Sequence, residues 1–237
     1  MKGIKGIILK KGIFLIKRIF LENPVYPCQS PSFLLIFSLT FSLAAFCFFA
    51  SVSAAKAQKG RDARWESAGK QGVGTAFSPD SKVWFTLQDG SLTEVFYPTA
   101  DNANVQWLQF AVLNSQTKRV ETERDDAVHL IETLDSASLS FRQVNRSKSD
   151  AWEIRKTYAS DPAGNSLLME VEFLPKTEGL ELYLFYNPSL KNSGMKDTGW
   201  NEAGFFLSNE ADIFSAVTVS GGFAEMTSGF SGQSDGI

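Results

Sequence analysis

The sequence predicts an all-β fold, an antiparallel sandwich of two sheets, and two observations support this prediction. Short runs of alternating apolar and polar residues recur from Ser81 onward, separated by turn residues. Many short strands at regular spacing are typical of antiparallel sandwiches and barrels. Apolar residues at helical spacing with end caps do not persist over any long run, so helix is expected to be minor.

The segment from Ser81 to Pro98 predicts a β-hairpin. Its first run alternates in the manner of a strand covered on one face, with Val83, Phe85 and Leu87 on one side and Lys82, Trp84, Thr86 and Gln88 on the other. Asp89-Gly90 supplies the left-handed backbone angles of a tight hairpin turn. A second alternating run, Leu92 to Tyr97, follows, and Pro98 ends the pairing because it has no N–H to donate.

Further strands are predicted along the rest of the chain. The clearest alternates Leu167, Met169, Val171 and Phe173 with Glu170 and Glu172. The other candidates are the runs Trp107 to Leu113, Leu180 to Tyr186, Phe205 to Leu207, Ile213 to Val219 and Phe223 to Met226, the shared face of Val128, Leu130 and Leu134, the strand begun by Leu139 and Phe141, and the strand marked by Trp152, Ile154 and Tyr158. The charged segment from Gln116 to Asp126 is expected to be a solvated connection.

Gly72-Val73-Gly74 invites comparison with a nucleotide-binding loop. The pattern lacks a preceding strand and a following helix, and Ser78-Pro79-Asp80 is turn chemistry. The sequence therefore does not predict a phosphate site here.

Several stretches in a fixed order carry a family resemblance. They are the hairpin SKVWFTLQDGSLTEVFYP preceded by Gly72-Val73-Gly74-Thr75, then Leu108-Gln109-Phe110, Phe141-Arg142-Gln143-Val144-Asn145, Lys156-Thr157-Tyr158 with Asp161-Pro162, Leu184 to Leu190, Thr227 to Phe230 and Ser234-Asp235-Gly236. This pattern resembles the N-terminal domain of bacterial glucoamylases and glucodextranases of glycoside hydrolase family 15. The resemblance covers about Gly69 to Gly236, and no single match is a catalytic signature.

The resemblance implies a fold and a role. The fold would be a two-sheet β-supersandwich, akin to galactose-mutarotase-like folds, and incomplete at the C-terminus because the family's domain continues with more strands. The family hydrolyses α-glucans with inversion, using two carboxylic residues that lie in a separate (α/α) barrel. No position here matches them, so this chain would be a non-catalytic domain that packs against the barrel and meets α-glucan or oligosaccharide through it. A stand-alone carbohydrate-binding module and a non-functional truncated remnant remain alternatives.

The N-terminal region has the layout of a secretory signal peptide. Its start is basic, the run Phe33 to Val52 is uncharged and largely apolar, and Ala55-Lys56-Ala57 is an A-x-A cleavage signal. The sequence thus predicts a signal peptide at 1–57, a linker at 58–70 and the β-sandwich domain at 71–237, with export to the periplasm or the exterior. Since the apolar run nearly suffices to span a bilayer, an uncleaved membrane anchor is the alternative.

Composition excludes several classes of function. Of 23 basic and 26 acidic residues, 7 and 1 precede Gln58, so the remainder carries 16 and 25, a formal charge of −9. An acidic domain without a basic stripe argues against nucleic acid as a partner. Both cysteines, Cys28 and Cys47, lie in the leader, and His129 is the single histidine. The ligand supply for zinc is therefore inadequate, and no cofactor is predicted.

The remaining candidates for chemistry are carboxylates, His129 and tryptophans. The acidic pairs are Asp125 with Asp126, Glu121 with Glu123, and Glu170 with Glu172. Glu170 and Glu172 are expected to form a solvated strand face, and His129 to have a structural role. Tryptophan rings suit sugar faces and domain interfaces. No catalytic residue is predicted, and the predicted interdomain or sugar contacts are Trp84, Trp107 and Trp200, with Trp84 the best interface candidate because it lies on the polar face of its strand.

Overall fold

Antiparallel pairing of strands builds nearly all of the described structure. The computed structural model describes residues 68–193 and 195–229, and the backbone of residues 3–5, 13–16 and 18–20. In chain order the strands are β1 (Gly3–Lys5), β2 (Ile13–Ile16), β3 (Arg18–Phe20), β4 (Gly72–Thr75), β5 (Trp84–Gln88), β6 (Ser91–Phe96), β7 (Ala103–Asn114), β8 (Val120–Thr122), β9 (Ala127–Asp135), β10 (Ser140–Ser147), β11 (Trp152–Ser160), β12 (Leu167–Pro175), β13 (Leu180–Pro188), β14 (Thr198–Glu202), β15 (Phe205–Glu210), β16 (Ile213–Thr218) and β17 (Thr227–Gly229). A one-turn helix, α1 (Glu123–Asp126), follows β8, and a 3₁₀ turn (Leu190–Asn192) follows β13.

The strands form three sheets. The first has the order β17-β1-β13-β7-β6-β5-β4, with β8 pairing additionally with β7. The second is β2-β12-β11-β10-β9, and the third is β14-β15-β16-β3. The predicted all-β antiparallel sandwich is thus confirmed, but β14, β15 and β16, which follow the 3₁₀ turn, pair with β3 in a separate third sheet, whereas β17 returns to the first sheet. Lys191 and Asn192 in that turn have left-handed backbone angles, φ 52° and 63°, which redirect the chain away from β13.

The core lies between the first and second sheets. Phe85 on β5 stacks on Tyr158 of β11 at 6.0 Å between ring centroids and meets the edge of Phe141 on β10 at 6.3 Å. The inner face of the third sheet joins the same apolar cluster through Phe206, Ile213 and Val217. The alternation in the sequence thus selects the face of each strand that is removed from water.

The predicted hairpin is present as β5 and β6. Asp89 and Gly90 have φ of 47° and 72°, the pair of positive angles that a two-residue hairpin turn requires. Val83, Phe85 and Leu87 are buried as predicted. The opposite face differs from expectation, because Thr86 and Gln88 are buried as well.

Hydrogen bonds explain how this polar face tolerates burial. Thr86 Oγ1 donates to Glu94 Oε2 at 2.6 Å, and the same carboxylate pairs with Lys70 Nζ at 2.6 Å. A buried polar group that is hydrogen-bonded in this way loses little relative to water. The two faces of β5 are therefore covered by different means, apolar packing on one and a hydrogen-bonded ion pair on the other.

Gly72 to Gly74 lies in the edge strand β4, and close packing accounts for Gly74. A Cβ at Gly74 would lie 2.2 Å from Cζ of Phe85. The glycine thus lets β4 approach the core ring of the next strand.

The expectation that residues 116–126 form a solvated connection is wrong. They contain β8 and α1, and Glu121 and Glu123 are buried. Thr122 caps the helix, with its Oγ1 accepting from the N–H of Asp125 at 3.2 Å. The T-x-x-D spacing is the local signal for this cap.

Strand β9 has the predicted shared face of Val128, Leu130 and Leu134, but this face is the outer one. The three side chains are exposed, whereas His129 and Ile131 point toward the core. A slip of one residue would exchange the two faces, so the pairing of Asn145 with His129 sets which face is buried.

Short segments before residue 21 extend each sheet. β1 pairs with β13 and β17, β2 with β12, and β3 with β16. The predicted apolar run Phe33 to Val52, the cleavage signal and most of the linker at 58–70 lie outside the described residues. Among the helices that the structure does describe, none has the length and hydropathy of a membrane span.

Candidate functional site

The structure does not bring the three predicted tryptophans together. Trp84 on β5 and Trp107 on β7 lie on the outer face of the first sheet, separated by β6, and Trp200 lies on β14 of the third sheet. Trp84 is 39% exposed and is paired across the sheet with Phe96 and Thr75. A single sugar ring therefore cannot stack on all three side chains.

The indole N–H groups of the three tryptophans differ in their hydrogen-bond partners. Trp200 Nε1 donates to Glu202 Oε2 at 3.2 Å. Trp107 Nε1 donates to the amide oxygen of Asn187 at 3.2 Å when that amide takes the orientation that satisfies its neighbours. No partner within residues 68–193 and 195–229 accepts from the indole of Trp84. The half-exposed ring of Trp84 thus retains both an apolar surface and a free donor, as an interface residue would.

Glu123 is the centre of a buried polar network beneath the Asp89-Gly90 turn. Its Oε1 lies 2.7 Å from Lys156 Nζ, its Oε2 accepts from the N–H of Phe110 at 2.7 Å, and Asn145 Nδ2 also donates to it. Lys156 Nζ donates in addition to the carbonyl of Gly90 at 2.5 Å. Burial lowers the pKa of Lys156, and the charge of Glu123 opposes this effect.

This network is structural rather than catalytic. Glu123 and Lys156 have no solvent-accessible side-chain surface, and the donors around Glu123 occupy both of its oxygens. A general acid or base must reach the substrate proton within hydrogen-bond distance. The network instead links the hairpin turn to β7, β10 and β11.

His129 belongs to the edge of the same network. Its Nδ1 lies 3.1 Å from Asn145 Oδ1, and it packs so closely on Gly90 that a Cβ there would meet Nδ1 at 2.4 Å. The contacts fit the predicted structural role of this residue.

The predicted acidic pairs do not act together. Glu121 and Glu123 belong to separate networks, and Asp126 accepts the N–H of Thr122 beside α1. On the outer face of the second sheet, Glu172 pairs with Arg155 at 3.2 Å and Glu170 is exposed. This face is solvated, in agreement with the sequence expectation.

A carboxyl pair that the sequence did not suggest is formed by Asp197 and Glu210. Oδ1 of Asp197 and Oε2 of Glu210 are both buried, and the other oxygen of Asp197 accepts the N–H of Leu190 at 3.0 Å. Burial, together with the hydrogen bond and charge of Glu210, raises the pKa of Asp197 to about 7. The two residues are 13 positions apart, at the open end of the β14–β15 hairpin, and meet because Thr198 of β14 pairs with Asn209 of β15. The sequence pattern predicted Phe205 to Leu207 but not β14, so it did not predict this pair.

A cleft of about 640 Å³ lies at one end of the sandwich, where three turns meet. The turns follow β7, β10 and β12. Ser115 in the first donates to the carbonyl of Gly179 in the third through both its N–H and its Oγ, at 2.8 and 2.9 Å. Lys176 N–H donates to the carbonyl of Ala151 at 2.8 Å, which joins the third turn to the second. The walls of the cleft are therefore held by backbone hydrogen bonds.

The floor of this cleft carries a buried carboxylate. Glu121 Oε2 accepts from Trp152 Nε1 and from Ser149 Oγ, each at 2.8 Å, and its Oε1 lies 3.1 Å from Nη2 of Arg119. Trp152 is buried, so it orients the carboxylate but offers no ring to a ligand. The guanidinium side chain is 66% exposed, and Arg119 lines the cleft.

The known proteins that this chain matches include a glucodextranase domain family and two glucoamylases. The family described as "Glucodextranase, domain N" matches residues 55–237. A glucoamylase from Clostridium sp. (strain G0005) is 34% identical over 182 residues, which cover 72% of this chain and 25% of the relative. Among solved structures, a crystal structure of a bacterial glucoamylase complexed with acarbose superimposes with a TM-score of 0.62 at 36% identity, covering 66% of this chain and 24% of that one. The chain spans about a quarter of the length of these relatives.

Proposed function

The chain belongs to the family of glucodextranase N-terminal domains, and from this premise we propose that it is the non-catalytic N-terminal domain of a glucoamylase-like enzyme that hydrolyses α-glucans with inversion. The domain packs against an (α/α) barrel and stabilises it, and the barrel supplies the catalytic carboxylates. The domain meets α-glucan or oligosaccharide through that barrel.

The observation that carries this proposal is that other groups of the domain already occupy the buried carboxylates. An inverting glycosidase needs two carboxyl groups about 6.5–9.5 Å apart that flank a bound sugar and a water. In the described part of the chain, Glu121 and Glu123 are instead saturated by fixed donors, and Asp197 and Glu210 face each other. The half-exposed Trp84, with its unused indole N–H, supports a docking surface on the outer face of the first sheet.

The first test is glucose release. The purified chain incubated with maltose or dextrin is expected to release no glucose, whereas sugar turnover by the chain alone would contradict the proposal.

The second test measures docking. In the Clostridium glucoamylase, the N-terminal quarter would be replaced by this domain, and thermal inactivation of the fusion would be followed by glucose release from maltose. Trp84→Ala is expected to lower the inactivation temperature because it removes a ring that is desolvated at the interface. Leu130→Ala, which truncates an exposed apolar side chain on the outer face of the second sheet, is the control. Equal effects of the two changes would refute the assignment of Trp84.

The proposal includes export. The basic start, the apolar run Phe33 to Val52 and the A-x-A signal support passage across a membrane, with an uncleaved anchor as the alternative. N-terminal sequencing of the chain after expression in a secreting bacterium tests this. A mature terminus at Gln58 supports export with cleavage, and an intact terminus in the membrane fraction supports the anchor. An intact chain in the cytoplasm would contradict both.

A further inference from the structure

We infer that the cleft at the end of the sandwich is a binding site for a short α-glucan segment, with the guanidinium of Arg119 as its principal hydrogen-bond donor. Trp84, which lies on the first sheet's outer face, is not among the residues that line this cleft. The choice of α-glucan as the ligand rests on the proposed function, whereas the existence of the site rests on the geometry of the cleft.

The cleft is preformed. Its volume of about 640 Å³ falls within the roughly 300–1,000 Å³ typical of ligand sites. Three turns line it, and backbone hydrogen bonds connect them through Ser115 with Gly179 and through Lys176 with Ala151. A ligand therefore binds without the entropic cost of ordering these turns.

The floor of the cleft carries a carboxylate whose charge is compensated. Glu121 is buried, and two neutral donors and Arg119 compensate it. Glu121 binds one nitrogen of the guanidinium, Nη2, and Arg119 lines the cleft, so the planar fork of its other N–H groups is available to a ligand there. Such a fork suits a pair of adjacent hydroxyl oxygens, because it donates two hydrogen bonds in one plane.

The rim of the cleft carries side chains that suit a sugar. Gln116, Thr177 and Glu178 line the cleft with exposed side chains, and none of them makes a side-chain hydrogen bond to another described residue. They offer amide, hydroxyl and carboxylate groups that both donate to and accept from hydroxyls. Leu180 is partly exposed and adds apolar surface at the same site, as the C–H face of a sugar ring requires.

The same charges argue against an anionic ligand. Arg119 is already neutralised by Glu121, and Glu178 adds a further negative charge at the rim. A phosphate or carboxylate ligand needs uncompensated positive charge. A neutral polyhydroxyl chain fits these groups better.

Binding of maltoheptaose to the full chain tests the inference by isothermal titration calorimetry. Saturable binding is expected, and Arg119→Met is expected to weaken it at least about tenfold, the usual consequence of losing a hydrogen bond to a charged donor. Arg142→Met is the matched control, because Arg142 is an exposed arginine on the outer face of the second sheet, away from the cleft. It is expected to leave the affinity unchanged.

The circular dichroism spectrum and the unfolding midpoint check that each variant folds. Should Arg119→Met fail to fold, the double change Gln116→Ala and Thr177→Ala alters only exposed rim side chains and is expected to weaken binding as well. Absence of saturable maltoheptaose binding, equal affinity of the cleft variants and the parent chain, or equal binding of cellohexaose would overturn the inference.

These outcomes are separable from those of the docking test. Trp84→Ala is expected to leave maltoheptaose binding unchanged, and the double change Gln116→Ala with Thr177→Ala is expected to leave the inactivation temperature of the barrel fusion unchanged. A domain that docks but does not bind glucan would retain the proposed function and lose this inference.

Discussion

Lys156 and Glu123 form an ion pair that is wholly removed from solvent, at 2.7 Å. Taking two charges out of water is unfavourable, and the pair is tolerated because the carbonyl of Gly90, the N–H of Phe110 and the amide of Asn145 satisfy the remaining hydrogen-bonding positions. The network therefore depends on having all of its members. Removal of one charge leaves the other buried and unpaired.

We expect Lys156→Met to lower the free energy of unfolding by about 3–5 kcal/mol, since Glu123 then keeps its charge without a counter-ion. The measurement is equilibrium unfolding in urea. The double change Lys156→Met with Glu123→Gln is expected to be less destabilised than the single change, because no unpaired charge remains.

Lys82→Met is the control for that experiment, because Lys82 is an exposed lysine that forms no ion pair with any other described residue. A Lys156→Met variant as stable as this control would show that the buried charge does not matter for folding.

Asp197 gives the domain a pH-dependent stability. Its carboxyl pKa rises from 3.8 to about 7 on folding, so the folded state binds this proton more tightly than the unfolded state does. Stability from this group is therefore greatest at acid pH and is lost as the pH rises from about 4 through about 7.

We expect Asp197→Asn to raise the melting temperature relative to the parent chain, and to raise it more at pH 8 than at pH 5. The amide can donate to Glu210 without needing a shared proton, and its oxygen can still accept from Leu190. Thermal unfolding followed by circular dichroism at the two pH values measures this. In Asp212→Asn, the control, the change in melting temperature is expected to be the same at pH 5 and pH 8, because Lys191 lowers the pKa of the exposed Asp212 below 3.8 and the carboxyl is ionised at both pH values. A difference for Asp197→Asn that does not depend on pH would contradict the assignment.

At the scale of elements, the β5–β6 hairpin joins the two large sheets. Its turn needs positive φ at Asp89 and Gly90, and the carbonyl of Gly90 accepts from both Lys156 and Asn145 of the second sheet. The Asp-Gly sequence thus determines the turn. The turn places the carbonyl of Gly90 where the side chains of Lys156 and Asn145 donate to it.

We expect Gly90→Ala to destabilise the domain more than a glycine change in a free turn does. The left-handed angle alone costs about 1–2 kcal/mol for a residue with a Cβ. At Gly90 the new Cβ would also lie 2.4 Å from His129 Nδ1 and 2.8 Å from Asn145 Oδ1, so the network must shift. Urea unfolding gives the difference in free energy.

Gly221→Ala separates these two contributions. Gly221 has φ 87°, but nothing lies within 4 Å of the position of its Cβ. It is expected to show the conformational effect without the clash. Equal losses at the two sites would show that the packing of Gly90 against His129 contributes nothing.

The individual strands show which elements an alternating sequence pattern can predict and which it cannot. Alternation predicted β5, β6, β12 and β13 well, because each buries one apolar face whose residues can be read directly. It failed for the segment from Gln116 to Asp126, where the charge suggested solvent. Glu121 and Glu123 are buried there because donors from distant strands satisfy them, and such partners leave no trace in the local sequence.

At the scale of the whole molecule, β1, β2 and β3 determine which strand edges of the three sheets are paired. β1 separates β13 from β17, and β2 and β3 form the ends of the second and third sheets. These three strands come from residues that the sequence pattern assigns to an exported leader. A domain that begins at Gln58 would leave the N–H and C=O groups of β12, β13 and β16 unpaired at these places, and unpaired edges promote association.

We expect a chain that begins at Gln58 to form less soluble monomer and to unfold at a lower temperature than a chain from which only residues 33–52 are deleted. Both proteins lack the apolar run, so the comparison isolates the contribution of the edge strands. Size-exclusion chromatography and thermal unfolding are the measurements. A stable, cooperative monomer beginning at Gln58 would show that the edges need no strand from the first 23 residues.

The sequence by itself determined the all-β class, the position and type of the β5–β6 turn, the buried faces of the main strands and the family, since each of these depends on residues close together in the chain or on ordered local matches. Only the tertiary structure decided that Trp84, Trp107 and Trp200 lie on separate surfaces, that Glu123 meets Lys156, that Asp197 meets Glu210, and that three turns enclose a cleft. Most of these features arise from strand pairing and sheet packing between distant segments, whereas Asp197 and Glu210 meet across the β14–β15 hairpin, whose first strand the sequence pattern did not predict. Their energies come from desolvation and from partners that no local pattern specifies.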